Sequence, residues 1–361
     1  MKQNRLHLAI LFGGKSVEHD ISLLSAGNVA RHLDKERFSL SLIGIDREGG
    51  WYLCENTEQD ITSGRPLNLV LKAGKGALAE RQSGIELPEI DIVFPVLHGT
   101  DGEDGSIQGL LKAANLPFVG CGVMSSSMAM SKLVTKQLLQ QAGVRIGAYR
   151  HYHYSDRERI SFEKVKAAVG LPMILKPANL GSSVGVHKIK NEEDFNKALA
   201  DTFLYDDEVL FETFISGREM ECAILGNARA KASKVGEIIV KGHEFYSFDA
   251  KYVDSEGATL VIPAETSDAL LAEIQRQSLL AYRSLFCEDF ARIDLFVTDA
   301  GEVYINEINT IPGFTNISMY PKLWDLEGIS YPALITRLID LALEKQEKKN
   351  RLRTDYDSAL S

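Results

Sequence analysis

The stretch Ala291–Thr315, ARIDLFVTDAGEVYINEINTIPGFT, decides the fold of the C-terminal half of this chain. Polar and apolar residues alternate at its two ends, and the turn-forming tripeptide Asp299–Gly301 lies between them. This pattern predicts two antiparallel strands joined as a β-hairpin. A two-residue turn in the middle would set Asp294 directly opposite Glu307.

Two carboxylates that face each other across a hairpin repel, and a cation between them relieves the repulsion. The same register sets Arg292 opposite Asn309, which adds an amide oxygen to the face that carries Asp294 and Glu307. A set of oxygen ligands favours Mg²⁺, and Mg²⁺ in such sites usually comes with the phosphate groups of a substrate. An edge hairpin with solvated acids is the alternative, so phosphate-binding elements elsewhere in the chain decide between the two interpretations.

Size and composition are those of a globular protein with several domains. The chain has 361 residues, of which 45% are hydrophobic and 25% charged. It contains no run that approaches the roughly 20 apolar residues of a membrane span, and its first residues lack the pattern of a signal peptide. Four scattered cysteines predict reduced thiols and a cytoplasmic protein. A net charge of −10 argues against nucleic acid as the main partner.

Residues 1–127 alternate strand and helix patterns, which predicts an α/β domain with a doubly wound parallel sheet. Three segments predict strands: His7–Phe12, Leu40–Asp46 and Ile90–Leu97. Two predict helices: Ile21–Leu33 and Ser106–Asn115. Ligands of such sheets bind at the carboxyl ends of strands, which here are the loops Gly13–Ser16 and His98–Gly105. The segment Cys54–Pro88 is weakly patterned and predicts a surface excursion.

The rest of the chain divides into a central subdomain, 128–216, and a C-terminal subdomain of α+β character, 217–361. Four segments predict helices: Ser131–Ala142, Glu192–Ala200, Ser267–Leu285 and Tyr331–Lys345. Three predict strands: Pro172–Pro177, Val184–Lys188 and Glu208–Glu212. The polar, aromatic and glycine-flanked stretch Lys241–Thr259 predicts a lid. The tail Lys345–Ser361 is charged and poor in apolar residues, so we expect it to fray.

A candidate phosphate-binding element lies at Lys176–Gly185, KPANLGSSVG. A predicted strand ends in a lysine and a loop rich in glycine and serine follows, so backbone N–H groups and hydroxyls can approach an anion beside a fixed positive charge. An ordinary hairpin loop is the alternative. The loop Gly13–Ser16 resembles the end of a P-loop, but the first glycine of that motif would fall on Ala9 inside a strand.

Five blocks in this order resemble the ATP-grasp ligases, and specifically the D-alanine–D-alanine ligase family. The blocks are GGKSVEHDIS (13–22), HGTDGEDGSIQG (98–109), KPANLGSSVGV (176–186), ARIDLF (291–296) and NEINTIPGFTNISMYPKLW (306–324). The resemblance extends from Gly13 to about Leu343. It implies an ATP-grasp fold behind the N-terminal α/β domain, and it makes the hairpin part of an active site.

For the reacting groups, the resemblance implies that Glu18 binds the ammonium group of a first D-alanine and that His98 lines the same site. Arg292 and the backbone N–H of Gly313 would form an oxyanion site.

Ser318 and the backbone of Met319 would receive the carboxylate of a second D-alanine. Ser182 would lie near the reacting groups. Tyr252, in the lid, would hydrogen-bond toward Ser182 and Glu18, and Lys251 would meet the transferred phosphate.

For the nucleotide, the resemblance implies that Lys132 and Lys176 hold the phosphates of ATP under the loop that carries Ser182 and Ser183. The positions implied on the adenosine side are Glu212, Thr213, Phe214, Ile215 and Glu219. At Thr213 some relatives carry a charged or amide residue instead. Two further positions, Asn306 and Glu307, would also contact ATP. Two Mg²⁺ or Mn²⁺ ions would be bound by Asp294, Glu307 and Asn309.

The reaction implied is the ATP-dependent joining of two D-alanines through a D-alanyl phosphate, as part of peptidoglycan precursor synthesis, by a homodimer that contacts itself through its first domain. A D-alanine–D-lactate or D-alanine–D-serine ligase is the near alternative, which the Lys251-Tyr252 pair disfavours. Another ATP-grasp ligase, such as biotin carboxylase or a purine-pathway enzyme, would not need Glu18 or the 98–109 block. A nucleotide-binding regulatory protein without catalysis is a third possibility.

Overall fold

Three β-sheets organise the protein, seen in a computed structural model that describes residues 5–241 and 257–353. The N-terminal sheet has the strand order β5-β4-β3-β2-β1-β6. Its strands are β1 (Leu6–Gly13), β2 (Phe38–Ile45), β3 (Trp51–Cys54), β4 (Arg65–Val70), β5 (Ala77–Glu80) and β6 (Ile92–Val96). Its helices are α1 (His19–His32) and α2 (Ser106–Ala113), and α3 (Val123–Met130) follows them.

The predicted parallel sheet is confirmed for its three central strands. β1 pairs in parallel with β2 on one side and with β6 on the other. Residues Leu8–Phe12 of β1 are completely buried, as expected for a strand covered on both faces. The loops that follow β1 and β6 therefore meet at one edge of the sheet, where the ligands of such sheets bind.

The expectation of a surface excursion at Cys54–Pro88 is wrong. This part of the chain forms β4 and β5, which continue from β3 as an antiparallel meander and make the sheet mixed. These strands have four to six residues, too few for a clear alternation pattern. Their buried leucines, Leu67 and Leu78, nevertheless join the core under the sheet.

The central sheet is antiparallel and has the order β7-β10-β8-β9. It comprises β7 (Tyr149–His153), β8 (Met173–Pro177), β9 (His187–Ile189) and β10 (Glu208–Thr213), with helices α4 (Lys132–Gln141), α5 (Phe162–Val169) and α6 (Glu192–Thr202). The strand predicted at Val184–Lys188 starts later, because Ser182 and Ser183 take positive φ values of 55° and 58° and extend the glycine-rich loop.

The third sheet is antiparallel and has the order β13-β12-β11-β14-β15. It comprises β11 (Arg218–Leu225), β12 (Lys231–Val240), β13 (Ala258–Val261), β14 (Phe290–Val297) and β15 (Val303–Asn309). The described residues of this half also form the helices α7 (Asp268–Ser284), α8 (Met319–Leu326) and α9 (Tyr331–Asn350). The helix predicted over Ser267–Leu285 is confirmed as α7, which begins at a Ser267 cap whose hydroxyl accepts from the N–H of Leu270.

The β14–β15 hairpin has the predicted register around its polar face: Asp294 pairs with Glu307, and Arg292 with Asn309. The predicted two-residue turn is wrong. The N–H of Thr298 donates to the carbonyl of Glu302 at 3.0 Å, so three residues form the loop, and Gly301 takes the positive φ of 77° that such loops require. A bulge after Asp294 places one extra residue on β15. This extra residue offsets the longer loop and restores the predicted register.

The N-terminal sheet and the C-terminal half share one hydrophobic core. Phe94 of β6 meets Phe314 edge to face at a ring-centroid distance of 5.9 Å, and Phe314 in turn contacts Tyr320 of α8. The last helix does not fray at Lys345 as expected. The Lys345 ammonium donates to the buried carboxylate of Asp289 at 2.8 Å, and α9 continues to Asn350.

In the parts of the chain that the structure describes, no helix combines the length and apolar character needed to cross a membrane. The subdomain boundaries at residues 127 and 216 stay a prediction.

Candidate active site

A cleft of about 500 Å³ lies between the central and third sheets. Lysines and the glycine-rich loop line one side, and the polar face of the hairpin lines the other. Among its lining residues are the predicted nucleotide and metal positions Lys132, Lys176, Ser182, Ser183, Glu212, Thr213, Phe214, Ile215, Glu219, Asp294, Asn306 and Glu307. The structure thus brings together residues that lie far apart in the sequence.

Two lysines share one buried carboxylate inside the cleft. The ammonium of Lys176 lies 3.0 Å from Oε1 of Glu212, and that of Lys136 lies 3.1 Å from Oε2. Burial acts to raise the pKa of Glu212, but the two positive charges outweigh it, so the pKa of Glu212 lies below its ordinary value. Burial also lowers the pKa of Lys136, and Glu212 offsets this only in part. Glu212 is therefore held ionised.

Sequence reasoning missed Lys136. The available signal was its position one helical turn after Lys132 on α4, which sets the two lysines on the same helix face. Lys132 donates to the carbonyl oxygen of Leu180 at the start of the glycine-rich loop. The hydroxyl of Ser182 in that loop is buried and finds no hydrogen-bond partner among the described residues. A donor in that state is available to a ligand in the cleft.

The strand end after Glu212 forms the apolar end of the cleft. Phe214 and Ile215 line it, and the ammonium of Lys188 lies 3.9 Å from the centroid of the Phe214 ring. The hydroxyl of Thr213 donates to the carbonyl of Val169 at 2.8 Å, so this side chain is engaged by the protein itself. The backbone N–H of Thr213 is also engaged, since it donates to the carbonyl of Ala148 at 2.9 Å.

A bidentate ion pair that the sequence did not reveal also lines this end. Arg218 Nε and Nη2 donate to the two oxygens of Glu237 at 2.9 and 2.6 Å.

On the hairpin face, Arg292 is bound to Asp294 by two hydrogen bonds. Its Nε and Nη2 donate to the two carboxylate oxygens at 2.7 and 2.8 Å, and Glu221 of β11 lies 3.1 Å from Nε. Burial acts to lower the pKa of Arg292, but Asp294 and Glu221 outweigh it and raise this pKa. The amide of Asn309 donates to Asp294 at 2.8 Å. Here the guanidinium supplies the positive charge that the paired carboxylates were expected to need, and Asn309 acts as a donor.

Glu18 and His98 lie at the edge of the N-terminal sheet, beside this cleft. A Cβ placed on Gly99 would lie 3.0 Å from the Glu18 carboxylate, and one on Gly181 would lie 3.8 Å from it. The carboxylate of Glu18 therefore lies between the loop after β6 and the glycine-rich loop. This position connects the N-terminal domain to the cleft.

The ring of His98 is buried and bridges two parts of the chain. Its Nδ1 lies 3.0 Å from the carbonyl oxygen of Ile311, and its Nε2 lies 3.2 Å from the hydroxyl of Ser25. Glu103 lies 3.5 Å from Nδ1. Burial raises the pKa of Glu103 to about 7, assisted by the charge of Glu18 and opposed by His98. Burial therefore favours the protonated form of the Glu103 carboxyl.

Beyond the hairpin, Gly313 and Ser318 lie next to each other. A Cβ on Gly313 would lie 2.8 Å from the hydroxyl of Ser318, which accepts a hydrogen bond of 2.9 Å from the N–H of Thr315. Met319 begins α8, and its sulfur packs against Gly236, where a side chain would collide with it. The predicted lid residues Lys251 and Tyr252 lie outside the described residues.

The Glu103–His98 pair predicts a pH-dependent stability. Glu103 has a higher pKa in the folded protein, about 7 against 4.5, so the folded state binds more protons between these values. The pKa of His98 is also raised, since Glu103 outweighs the opposing effect of burial. Both shifts stabilise the fold at low pH, and the contribution of Glu103 is lost as pH rises through about 7.

We expect Glu103→Gln to flatten the dependence of the free energy of unfolding on pH between about 4.5 and 7. Urea unfolding at several pH values measures this dependence, and the variant Glu55→Gln, at an exposed position, is the control. Parallel curves for wild type and Glu103→Gln would contradict the assignment.

Two protein-family models match the chain. Residues 7–121 match the model described as D-ala D-ala ligase N-terminus, and residues 138–340 match D-ala D-ala ligase C-terminus. Together they cover both the N-terminal sheet and the cleft-forming sheets.

Individual relatives agree with the family models. The D-alanine–D-alanine ligase of Oceanobacillus iheyensis is 45% identical over 358 residues, covering 96% of this chain and 98% of the relative. The structure of the D-alanine–D-alanine ligase from Coxiella burnetii superposes with a TM-score of 0.86 at 36% identity, covering 97% of each chain. The VanG D-Ala:D-Ser ligase from Enterococcus faecalis superposes with a TM-score of 0.83 at 31% identity, covering 94% of this chain and all of that one. This chain, with its α/β ATP-grasp fold, belongs to the D-alanine–D-alanine ligase family.

Proposed function

We propose that this protein uses ATP to join two molecules of D-alanine into D-alanyl-D-alanine. One observation carries the proposal. A single cleft is lined by a buried lysine, the glycine-rich loop and the Asp294–Glu307 pair, and the carboxylate of Glu18 lies beside that loop. A phosphate-binding region and a site for a small zwitterion are thereby adjacent, as an enzyme that phosphorylates an amino acid requires.

In this proposal the triphosphate lies against the lysines of α4 and β8. Lys132 and Lys176 supply fixed positive charge, while the loop that carries Ser182 and Ser183 offers hydroxyl and backbone N–H donors. The adenine lies at the apolar end beside Phe214 and Ile215. Backbone groups there would read the base, since the Thr213 hydroxyl is already bound to Val169.

The hairpin face has the chemistry that Mg²⁺ prefers. Asp294 and Glu307 are paired across β14 and β15, and both line the cleft. Within residues 5–241 and 257–353, no group of three or more His, Cys, Asp or Glu side chains is placed to hold a metal by itself. A bound Mg²⁺ would therefore complete its shell with nucleotide phosphates and Asn309, which is how Mg²⁺ is usually bound beside phosphates. It would neutralise phosphate charge there.

The first step forms an acyl phosphate. A carboxylate oxygen of the first D-alanine, whose ammonium group pairs with Glu18, attacks the γ-phosphorus of ATP. The bond from that phosphorus to the β–γ bridging oxygen breaks, and ADP leaves with the electron pair. Such a transfer depends on positioning and on stabilisation of charge, which the lysines and the glycine-rich loop provide.

The second step forms the amide bond. The neutral amine of the second D-alanine attacks the acyl carbon, and its carboxylate is held at Ser318 and the N-terminus of α8. Arg292 and the N–H of Gly313 stabilise the oxyanion of the tetrahedral intermediate. Inorganic phosphate then leaves and the amine nitrogen gives up its proton.

Further parts of the proposal rest on the family. D-alanine and ATP are the small-molecule partners, the protein acts in the cytoplasm as a homodimer, and Lys251 and Tyr252 close the site as parts of a lid. All four cysteines are unpaired, buried thiols, which suits a reducing compartment. D-serine is the second candidate for the incoming substrate, because a D-Ala:D-Ser ligase superposes on nearly the whole chain.

Product analysis tests the proposed function. With ATP and Mg²⁺, D-alanine should trigger phosphate release and give D-alanyl-D-alanine as the main product, also when D-serine or D-lactate competes. L-Alanine should trigger no release. A mixed dipeptide or depsipeptide as main product would reassign the second substrate, and phosphate release with bicarbonate but not D-alanine would refute the proposal.

A further inference from the structure

Lys136 is a buried charged residue that the mechanism above does not use. Its side chain is 2% exposed, although lysine is almost never fully buried without a partner. Its partner is Glu212, 76 positions later in the sequence by the residue numbers, on the central sheet. An ammonium group taken so far out of water is costly, and an apolar side chain of similar volume could fill the same space. The cost calls for a role beyond packing.

The geometry shows how Lys136 acts on its neighbour. Glu212 has two carboxylate oxygens, and each faces one lysine: Lys136 at 3.1 Å and Lys176 at 3.0 Å. Lys176 also donates to the side-chain oxygen of Asn306 at 3.3 Å. With one oxygen held by Lys136, the carboxylate offers only the other to Lys176. Without Lys136, both oxygens would be available to Lys176 and would draw its ammonium away from a ligand.

We propose that Lys136 is a positioning residue for nucleotide binding, which holds the Glu212 carboxylate so that Lys176 stays directed at the phosphates. The proposal deepens the function proposed above and rests on ATP being the substrate. Lys136 itself touches no phosphate in this account. Its effect passes through Glu212, so it should disappear when Glu212 loses its charge.

A double-mutant cycle tests this dependence. The variants are Lys136→Met, Glu212→Gln and the two combined. The matched control is Lys166→Met, which removes an exposed lysine that pairs with Glu163 on α5. The measurements are the Kd for ADP by calorimetry, the KM values for ATP and D-alanine, kcat, and the melting temperature.

Lys136→Met should raise the Kd for ADP and the KM for ATP about tenfold, with the KM for D-alanine unchanged. In the Glu212→Gln background the same change should alter the Kd for ADP less than about twofold. Lys166→Met should behave as wild type.

Equal fold-changes in both backgrounds would overturn the proposal, because they would mean that Lys136 acts independently of Glu212. A lower melting temperature with an unchanged Kd for ADP would also overturn it, since that result describes a purely structural lysine. A wild-type protein that binds no ADP would refute the proposed function and the inference together.

Discussion

Arg292→Lys is expected to lower kcat by roughly a hundredfold or more while the protein stays folded. Arg292 presents a planar fork whose Nε and Nη2 are fixed by the two oxygens of Asp294 at 2.7 and 2.8 Å. Lysine keeps the positive charge but has no fork, so it cannot stay in this pair and also aim a donor at an oxyanion. Loss of one oxyanion donor typically costs on the order of 3 kcal/mol in the transition state.

Arg292→Lys is a cleaner test than Arg292→Ala. Alanine would leave the buried carboxylates of Asp294 and Glu221 without their shared cation, and a buried pair broken in this way destabilises the fold strongly. The matched control is Arg276→Lys on α7, where an exposed arginine makes a similar bidentate pair with Glu273, with both hydrogen bonds at 2.8 Å. Near-normal kcat in Arg292→Lys would exclude the oxyanion role.

Asp294→Asn is expected to lower kcat by roughly a hundredfold or more and to raise the Mg²⁺ concentration needed for half-maximal rate. The replacement keeps the size of the side chain but removes its charge. It weakens both contacts of Asp294 on the hairpin, the fork of Arg292 and the amide of Asn309, and it removes a hard oxygen ligand next to the phosphates.

Initial rates over a series of Mg²⁺ concentrations measure both effects. Asp299→Asn, an exposed change in the loop of the same hairpin, is the control and should match wild type. If Asp294→Asn kept the wild-type rate and the wild-type Mg²⁺ dependence, Asp294 would have neither role.

The β14–β15 hairpin shows which features local sequence patterns can predict and which they cannot. Alternation and the residues Asp299–Gly301 sufficed to predict that Asp294 faces Glu307, and that register is confirmed. The reason given for it was incomplete, because a three-residue loop and a bulge after Asp294 compensate each other. A bulge leaves no alternation signal of its own, so local patterns could not reveal it.

Other features depended on contacts between distant parts of the chain. The short strands β3–β5 are stabilised by neighbouring strands and by the core under them, not by a strong pattern of their own. Lys136 looks like an ordinary helix-surface lysine until β10 places Glu212 against it. Glu103 acquires its raised pKa from burial next to Glu18, which no spacing in the sequence indicates.

The family resemblance implied the roles of individual residues, and the structure adds the hydrogen bonds that their side chains make. Thr213 directs its hydroxyl to Val169, and Asn309 donates to Asp294. Neither contact could be inferred from the sequence, because each depends on the orientation of a side chain in the folded protein.

Transfer of ¹⁸O from substrate to phosphate tests the central claim most directly, namely that a D-alanine carboxylate is phosphorylated before the amide bond forms. The reaction is run with ATP and D-alanine labelled with ¹⁸O in both carboxylate oxygens, and the released phosphate and the dipeptide are analysed by mass spectrometry. Because the acyl phosphate cleaves at its carbon–oxygen bond, each phosphate should carry one ¹⁸O atom and the amide carbonyl should keep the other. Unlabelled phosphate formed together with the dipeptide would contradict the account.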